Sequence, residues 1–555
     1  MTAVRERLSL NKEAYCYVPV NKETLRRQQG EYYRAVMEAE RDKSLPAPIK
    51  FSIITPLYMT DKTHLEEMIE SVKAQSWGGW ELILEDASPS DKSLEHAVSR
   101  VARDGRIIYY SLAKNGGISA NTNAALKHAD GDYIVLLDHD DILTPDALYE
   151  TARAIESGGL RENPYAVKGR PAYKCVLAYS DEDKFSDNQR DGRTFFEPHI
   201  KTDFDLDKLL TNNYICHLTA IRYDMATELM FRSEFDGAQD HDIMLRCCAG
   251  IVFNRYGEYR RQEEALQYIV HVPKVLYHWR SHEGSTSSNP SSKSYAYNAG
   301  KRCIEDFVEK YLCINNLSGD IQVKELPHLG FFRLEYKPDI FSFRKDVGVI
   351  GGRLTDRENT ISGGLMNDRG EVIFKNLPSG FSGGFQHPAA LQQSAEAVDI
   401  RKLAVRAELR GKYEEIIKIP YKKVFDYDYF VDMYFPDTEI NSSFSDKSEN
   451  LSAQVRETVE EAENPAKEEF PSEDKKSADI GFEDEDADTS AKDGCLDEEN
   501  GEDKIGDKKA KPEDKEEKIE EKIRELSVSF CKEVRRLGYR IVWDPQFDNE
   551  KSGDK

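Results

Sequence analysis

Residues 132–141 read DYIVLLDHDD, an apolar run that ends in the cluster Asp138, His139, Asp140 and Asp141. Three similar apolar runs precede it, separated by segments with helical spacing: FSIITPLY (51–58), WELILED (80–86) and RIIYYSL (106–112). Strands that alternate with helices of this length predict parallel βαβ units in an open α/β sheet. Ligands of such sheets bind beyond the carboxyl ends of the strands, which is where the acidic residues fall.

The chain has 555 residues, which is too long for one compact core. Its composition changes along the sequence and separates segments that should fold from one that should not. Residues 1–48 are polar with helical spacing, so we expect a helical N-terminal arm. Residues 49–313 form the first α/β domain, in which the sheet becomes mixed after residue 170. Residues 445–520 are dominated by Glu, Asp, Lys and Ser, and we expect an acidic disordered insertion there. It interrupts a second, smaller α/β segment made of residues 325–444 and 525–545.

Charge and cysteine usage narrow the class of protein. A formal net charge of −25 argues against a nucleic-acid binder, which needs a basic surface. Nine cysteines without framework spacing favour a reducing compartment. The N-terminus lacks an apolar signal region, and the sequence has no apolar run of about 18 residues. We therefore expect a cytoplasmic protein, which leaves a peripheral association with the inner membrane face open.

The acidic strand end at Asp138–Asp141 is typical of a site for a hard divalent ion, Mn²⁺ or Mg²⁺, that neutralises a diphosphate. The alternative is a solvated turn followed by a helix cap. A second acidic strand end, Glu85 and Asp86, would lie beside it in the same sheet and face the same ligand. The alternative is an Asp or Ser that caps the next helix. The loop KNGGIS (114–119) offers close backbone approach to an anionic ligand.

Three further residues are candidates for chemistry. His278, in YHWR, is a candidate imidazole ligand for the same ion, although a lone His after an aromatic residue is more often packed in a core. Asp240 and Asp242 begin an apolar helix. One of them can take a proton from a sugar hydroxyl, but acids at a helix N-terminus also need no catalytic explanation.

Taken in order, these motifs resemble the family 2 inverting glycosyltransferases of GT-A type, specifically bacterial rhamnosyltransferase-like proteins with two such domains in tandem. The resemblance covers about residues 50–310. It is carried by FSIITPLYMT, WELILEDAS, KNGGISANTN, DHDD as a DxD-type metal signature, YSDEDK, NNYICHLTAIR, FRSEFDGAQDHDIMLR and VLYHWRSHEGSTSSNP.

The resemblance implies roles for individual residues. A nucleotide-sugar pocket would be lined by Thr55, Pro56, Asp86, Asn115, Gly117 and Asp138. Asp140 and His278 would hold the metal, and Asp240 would be the general base. The donor would be a dTDP- or UDP-sugar, with a hexose or deoxyhexose transferred to a glycan or lipid-linked acceptor in cell-surface polysaccharide synthesis. His139 and Asp141 would serve local structure.

After residue 325 the tandem relatives begin a second complete domain, whereas this chain continues directly with DVGVIGGRL (346–354). The resemblance therefore implies that the second domain lacks its donor-binding half. Ser527 and Ser529 stand where Asp240 and Asp242 stand in the first copy, and neither can act as a carboxylate base. We therefore expect a degenerate second domain that holds an acceptor or a partner.

Two other classes of protein compete with an enzyme of this family. A non-catalytic carbohydrate-binding or scaffold protein derived from such an enzyme would explain the degenerate second copy, but the intact acids of the first copy argue against it. A nucleotidyltransferase would also combine an α/β sheet with acids and a divalent ion. It would need basic residues for a triphosphate, and the first strand-to-helix turn lacks such a loop.

Overall fold

The computed structural model describes residues 15–88, 93–101, 104–160, 173–188, 192–253, 260, 262–281, 294–313, 320–421, 427–435 and 512–547. By their contacts the residues of the chain fall into two units. The first unit contains residues 1–421 and 523–555, and the second contains residues 422–522.

The first part of the chain alternates strands and helices, as the apolar pattern predicts. Its helices are α1 (Lys22–Arg41), α2 (Lys62–Lys73), α3 (Ser93–Val101), α4 (Ile118–Leu126), α5 (Ala147–Ser157), α6 (Leu206–Leu209), α7 (Tyr223–Leu229), α8 (Gln239–Val252), α9 (Gln262–Ala265) and α10 (Ser294–Phe307). Its strands are β1 (Phe51–Leu57), β2 (Trp80–Asp86), β3 (Ile107–Ser111), β4 (Tyr133–Leu136), β5 (Ile142–Leu143), β6 (Leu177–Asn188), β7 (Gly192–His199), β8 (Thr219–Arg222) and β9 (Ile269–Arg280).

These nine strands form one mixed sheet in the order β3-β2-β1-β4-β8-β6-β9-β5, with β7 paired to β6. The strands β3, β2, β1 and β4 are parallel, whereas β8 runs antiparallel to both β4 and β6. Parallel pairing requires crossover helices, and the helices between these strands supply them. The predicted α/β class with an open mixed sheet is confirmed.

Apolar side chains cover both faces of the sheet. On β1, Ile53 and Leu57 belong to one buried apolar cluster, while Ile54 belongs to the other. Successive side chains of a strand point to opposite faces, so a continuous apolar run is needed when both faces are buried. This explains why β1 reads as a nearly uninterrupted hydrophobic segment.

Helix α1 lies against the first domain. Its first turn is capped by the Asn21 side chain, which accepts a hydrogen bond of 2.9 Å from the Thr24 amide. Gln28 is completely buried, and its Oε1 accepts a 2.8 Å hydrogen bond from the Ser76 hydroxyl. The ring of Tyr32 packs 5.0 Å from that of Trp77.

The remainder of the first unit is built on small sheets. Its strands are β10 (Asp320–Glu325), β11 (Phe332–Lys337), β12 (Val347–Gly351), β13 (Leu354–Thr355), β14 (Ile361–Gly363), β15 (Leu365–Met366), β16 (Gln393–Ser394), β17 (Ala397–Val398), β18 (Leu403–Val405) and β19 (Arg540–Trp543). The order of the four-stranded sheet is β16-β19-β12-β18, with β19 parallel to β12. We call residues 320–421 and 523–547 the second region.

Four helices complete the described structure: α11 (Ile340–Phe343), α12 (Arg410–Ile417), α13 (Tyr427–Tyr434) and α14 (Pro512–Arg536). Of these, α13 belongs to the second unit, where the rings of Phe430 and Tyr434 lie 5.0 Å apart.

Helix α14 begins before the boundary expected at residue 520, so the expectation of disorder is wrong for residues 512–520. Ile519, Ile523, Leu526 and Phe530 recur at helical spacing in α14 and are buried, which explains why the helix extends this far towards the N-terminus. The rest of the insertion, residues 445–511, lies outside the described residues. The division into a complete and a partial glycosyltransferase-like copy stays a prediction.

Ser527 has a structural role in the second region. It is completely buried, its hydroxyl donates to the Ile523 carbonyl at 2.7 Å, and its oxygen accepts from the Ile400 amide at 3.2 Å. Both contacts join backbone groups, so the hydroxyl satisfies local structure.

Buried ion pairs connect the second region to the first domain. Arg344 is fully buried and donates to Asp207 at 2.6 Å, and Arg540 lies 2.9 Å from the same carboxylate. Burial alone would raise the pKa of Asp207, but the two guanidinium groups outweigh it and lower the pKa. Arg540 also contacts Asp205 at 3.1 Å, and the Ser394 amide donates to Asp205 at 2.6 Å.

Across the helices that the structure describes, none combines the length and apolar character required to cross a bilayer.

Arg344→Ala is expected to lower the free energy of unfolding by about 3–5 kcal/mol, because it breaks two buried ion pairs and leaves Asp207 and Asp346 with Arg540 as their remaining guanidinium partner. Chemical denaturation followed by circular dichroism measures the change. Lys412→Ala is the control, since Lys412 forms an exposed pair with Glu415, and it should change stability by less than about 1 kcal/mol. Equal denaturation midpoints for Arg344→Ala and the wild type would contradict the expectation.

Candidate active site

The carboxyl ends of β1, β2 and β4 meet at one edge of the sheet. Asp86 ends β2 and pairs with Leu57 of β1, while Asp138 follows β4 two residues after its end. Thr55 and Pro56 lie on β1 beside them. The Thr55 hydroxyl is buried, with no hydrogen-bond partner among the described residues. The four residues predicted at this edge from the strand pattern and the resemblance are therefore neighbours in the sheet.

Asp86 is held by two donors. The Tyr109 hydroxyl donates to its Oδ2, and the Ser88 amide donates to its Oδ1 at 2.8 Å. These contacts fix the carboxylate at the strand end, with its orientation set before any ligand arrives.

The loop before α4 is folded by its own side chains. The Oδ1 of Asn115 accepts from the Gly117 amide and from the Asn121 side chain, both at 2.9 Å. Gly117 has a φ of 93°, and a Cβ atom there would lie 2.4 Å from the Asp236 carboxylate. Only glycine fits this close approach, which brings the loop next to the segment that leads into α8.

Asp141 and Asp138 have different surroundings. Asp141 is completely buried, accepting from the Arg280 amide at 2.7 Å and from the Tyr277 hydroxyl, which suits the structural role expected for it. Asp138 is open to solvent. Desolvation by the protein atoms around it and repulsion by Asp140 raise the pKa of Asp138, and Asp240 acts in the same direction. Asp138, Asp140 and Asp240 therefore share one electrostatic site.

Asp240 and Asp242 differ in their partners, although both lie in the first turn of α8. Asp240 accepts from the Asn213 amide group at 2.8 Å and from the Cys216 thiol at 3.6 Å, both neutral donors. Burial raises the pKa of Cys216 to about 12, which keeps the thiol protonated. Asp242 is buried in ion pairs with Arg232 and Arg246. Of the two acids, Asp240 is the one placed to accept a proton.

His278 has a partner on the neighbouring strand. Its Nδ1 bonds to Asp183 of β6, and the rings of Tyr17 and Phe195 lie 4.4 and 4.6 Å from its own. Tyr277, the preceding residue of β9, reaches Asp138 and Asp141. Consecutive strand residues point to opposite faces, so His278 points away from the face that carries the Tyr277 hydroxyl. Its role as a metal ligand stays a prediction.

A buried network beside Asp240 was not predicted from the sequence. His217 stacks on Tyr277 with ring centres 4.5 Å apart, and its Nδ1 lies 3.0 Å from Glu182. The completely buried Lys201 donates to the Ile215 carbonyl at 2.7 Å and lies 3.6 Å from Glu182. The sequence marks Glu182 and His217 only as members of the motifs YSDEDK and NNYICHLTAIR, and Lys201 lies outside both motifs.

The geometry of this network also resembles a small metal site, since one ligand atom each from Glu182, Cys216 and His217 lie within 4.8 Å of one another. However, the protein itself already supplies the positive charge that a metal ion would bring to Glu182. Burial would raise the pKa of Glu182, but Lys201, His199 and His217 hold it well below its usual range. In this network the cationic side chains of Lys201 and His217 balance the negative charge of Glu182.

The pKa of His217 is expected to lie above the ordinary value for histidine. Burial opposes its charge, but contacts with Cys216 and Glu182 outweigh burial and raise its pKa well above 6.5. Because the pKa is raised in the folded state, the resulting stability is complete below about pH 6.5 and is lost as the pH rises through the folded value. Two-dimensional ¹H–¹⁵N NMR of the imidazole rings measures it. His199, whose pKa burial lowers to about 4, serves as the neutral ring in the same spectrum.

Glu182→Gln should lower the pKa of His217, whereas Glu197→Gln, which alters an exposed carboxylate bonded to Lys184, should leave it in place. A wild-type His217 that titrates near 6.5 would show that Glu182 does not hold the charge.

Comparison with known proteins identifies the domain that carries this site. Residues 52–226 match the family described as Glycosyl transferase family 2. The protein y4gI of Sinorhizobium fredii is 36% identical over 261 residues, which cover 47% of this chain and 25% of the relative. The O-antigen biosynthesis protein RfbC of Myxococcus xanthus is 27% identical over 261 residues, covering 47% of this chain and 18% of the relative.

Among solved structures, TarS of S. aureus (residues 1–349, in complex with UDP-GlcNAc) is 18% identical to this chain. The match covers 47% of this chain and 67% of the TarS chain. Its TM-score of 0.34 is too low for a shared fold to follow from it. This chain spans a quarter or less of the length of the two sequence relatives. Residues 52–226, which contain the sheet edge and its acidic strand ends, are thus similar to glycosyl transferase family 2.

Proposed function

We propose that the protein is a metal-dependent inverting glycosyltransferase that moves a hexose or deoxyhexose from a nucleoside-diphosphate donor to a glycan or lipid-linked acceptor hydroxyl. The observation that carries the proposal is that the charges of Asp140 and Asp240 both act on Asp138, which lies in the part of the chain that matches family 2. Two of these acids follow a strand of the sheet, and the third faces them from the start of α8.

The donor side of the proposed site is the sheet edge. A dTDP- or UDP-sugar would lie along Thr55, Pro56, Asp86, Asn115, Gly117 and Asp138. The preset Asp86 carboxylate and the exposed Asp138 suit hydroxyl groups of a nucleotide sugar, while the loop at Gly117 allows backbone approach to an anion. Orienting the donor in this way reduces the entropy lost at the reacting step.

A divalent ion, Mn²⁺ or Mg²⁺, fits the donor set because Asp138 and Asp140 repel each other and offer hard oxygen ligands. Asp140 and His278 are the residues proposed to hold it, with His278 having to exchange its contact with Asp183. When bound, such an ion supplies charge stabilisation to the departing diphosphate.

Asp240 is the proposed general base. Its neutral partners Asn213 and Cys216 orient the carboxylate and leave its negative charge available. It would take the proton of the acceptor hydroxyl as the oxygen attacks the anomeric carbon, and a single displacement inverts the configuration. The same arrangement disfavours a purely carbohydrate-binding protein, which would have no use for a base with neutral partners.

The biological setting is proposed from two observations. One sequence relative is named for O-antigen biosynthesis, which favours cell-surface polysaccharide synthesis. The described cysteines are all free thiols, which agrees with a reducing, cytoplasmic location.

Asp140→Ala is expected to weaken Mn²⁺-dependent donor binding by more than about ten-fold, because it removes a proposed metal ligand. Calorimetry with UDP- and dTDP-sugars, with and without Mn²⁺, measures the affinity. Glu408→Ala, which removes an exposed carboxylate in the second region, is the control. Donor affinity that is insensitive to Mn²⁺ in the wild type, or unchanged in Asp140→Ala, would contradict this assignment.

Asp240→Asn is expected to keep donor binding and to lower the rate of transfer by about 10²–10⁴-fold, the usual contribution of a general base. Single-turnover transfer of radiolabelled sugar separates the two effects. Glu234→Gln, six residues earlier and exposed, should transfer at the wild-type rate. Normal transfer by Asp240→Asn would mean that another group takes the proton.

A further inference from the structure

The second region has a strained loop at residues 380–387, GFSGGFQH. Gly383 and Gly384 have φ values of 95° and 83°, and the same left-handed region is occupied by Gln386 at 62° and His387 at 49°. Glycine adopts this conformation freely, but Gln and His do so at a cost that neighbouring contacts must offset. Such strain is concentrated where a loop serves a ligand.

Contacts fix this loop beside the proposed base. The Oε1 of Gln386 accepts from the Asn212 side chain at 3.3 Å. The next residue, Asn213, donates to Asp240 at 2.8 Å. The loop of the second region and the base are thus bound by adjacent residues of one segment of the first domain.

The strained loop presents an exposed ring next to this segment. Phe385 is 37% exposed, and its ring lies 4.5 Å from the Lys184 ammonium and 6.1 Å from the ring of His199. Lys184 also lies 5.3 Å from the ring of Trp279. Trp279 in turn is 5.9 Å from His217 of the buried network. Two aromatic side chains, one from each part of the chain, therefore surround the same ammonium group, and the segment of Asn212 and Asn213 links the loop to Asp240.

The charge of Lys184 is already balanced, since it bonds to the half-exposed Glu197 at 2.7 Å. A balanced ion pair between two aromatic rings is a poor site for a diphosphate. It suits an uncharged, hydroxyl-rich ligand, whose apolar ring face packs on an aromatic side chain while its hydroxyl groups bond to the ammonium and the carboxylate.

We propose that Phe385, with Trp279, Lys184 and Glu197, forms a binding subsite for the acceptor saccharide. The second region then supplies part of the acceptor site for chemistry carried out by the first domain. This inference rests on the proposed function, because it takes Asp240 as the point from which the acceptor extends.

Phe385→Ala tests the subsite in the full-length chain, with a panel of p-nitrophenyl glycosides as the acceptor probes and UDP- or dTDP-sugars as donors. The KM for the acceptor should rise on the order of ten-fold, as expected for the loss of one aromatic contact, with kcat and the donor KM within two-fold of the wild type. Phe385→Trp should restore the acceptor KM. Tyr33→Ala, which removes an exposed ring on α1, should change none of the three.

A purely structural role for Phe385 predicts a different result: a lower melting temperature with an unchanged acceptor KM. That outcome would overturn the subsite. So would a loss in Phe385→Ala that Phe385→Trp fails to restore, or an absence of any glycoside binding by the wild type.

Donor-free binding separates this inference from the proposed function. Titration of the glycosides, followed by tryptophan fluorescence, should give the same affinity for the wild type and Asp240→Asn, and a weaker one for Phe385→Ala. A chain that transfers no sugar but binds glycosides through Phe385 would refute the proposed function and keep the subsite. A chain that transfers sugar with a wild-type acceptor KM in Phe385→Ala would do the reverse.

Discussion

The buried carboxylates Asp205 and Asp207 are the constraint on which the arrangement of this molecule depends. A buried charge is tolerated only when it is paired, and the partners here, Arg344 and Arg540, belong to the second region. The segment that carries these acids continues to Asn213, Cys216 and His217. The second region therefore neutralises the buried acids of the segment that leads to the proposed site.

This dependence gives the second region a physical role in the stability of the first domain. Ser527 bonds backbone groups of its own region. The sheet around β12 and β19 carries Arg540, which contributes charge neutralisation to the neighbouring domain. Stability and catalysis require different side chains, so a region can stabilise a neighbouring site whether or not it has chemistry of its own.

The sequence predicts much of the first domain, since the runs at 51–58, 80–86 and 133–136 are rich in the large apolar residues that two-sided burial requires. Asp138, Asp140 and Asp240 follow from strand ends and a helix start, which are local signals. The network of Glu182, Lys201 and His217 could not be predicted, because its members meet only through pairing between distant strands. The direction of His278 likewise depends on the register of β9 against β6. No local sequence pattern marks Phe385 as part of a site, because its proposed role depends on contacts with Lys184 and His199, which are distant in the sequence.

The place of β19 in the sheet has a consequence for biosynthesis. This strand pairs with β12 in parallel, although the ribosome makes it long after β12 has emerged. Until it arrives, Asp205 lacks its guanidinium partner and β12 lacks its parallel neighbour. A nascent chain can form the first sheet early, because β1 to β4 are close in sequence. The ion pairs of Arg540 with Asp205 and Asp207 form late, because Arg540 is synthesised near the end of the chain. During translation the protein thus passes through a stage in which an exposed strand edge and an unneutralised acidic segment must avoid association with other chains.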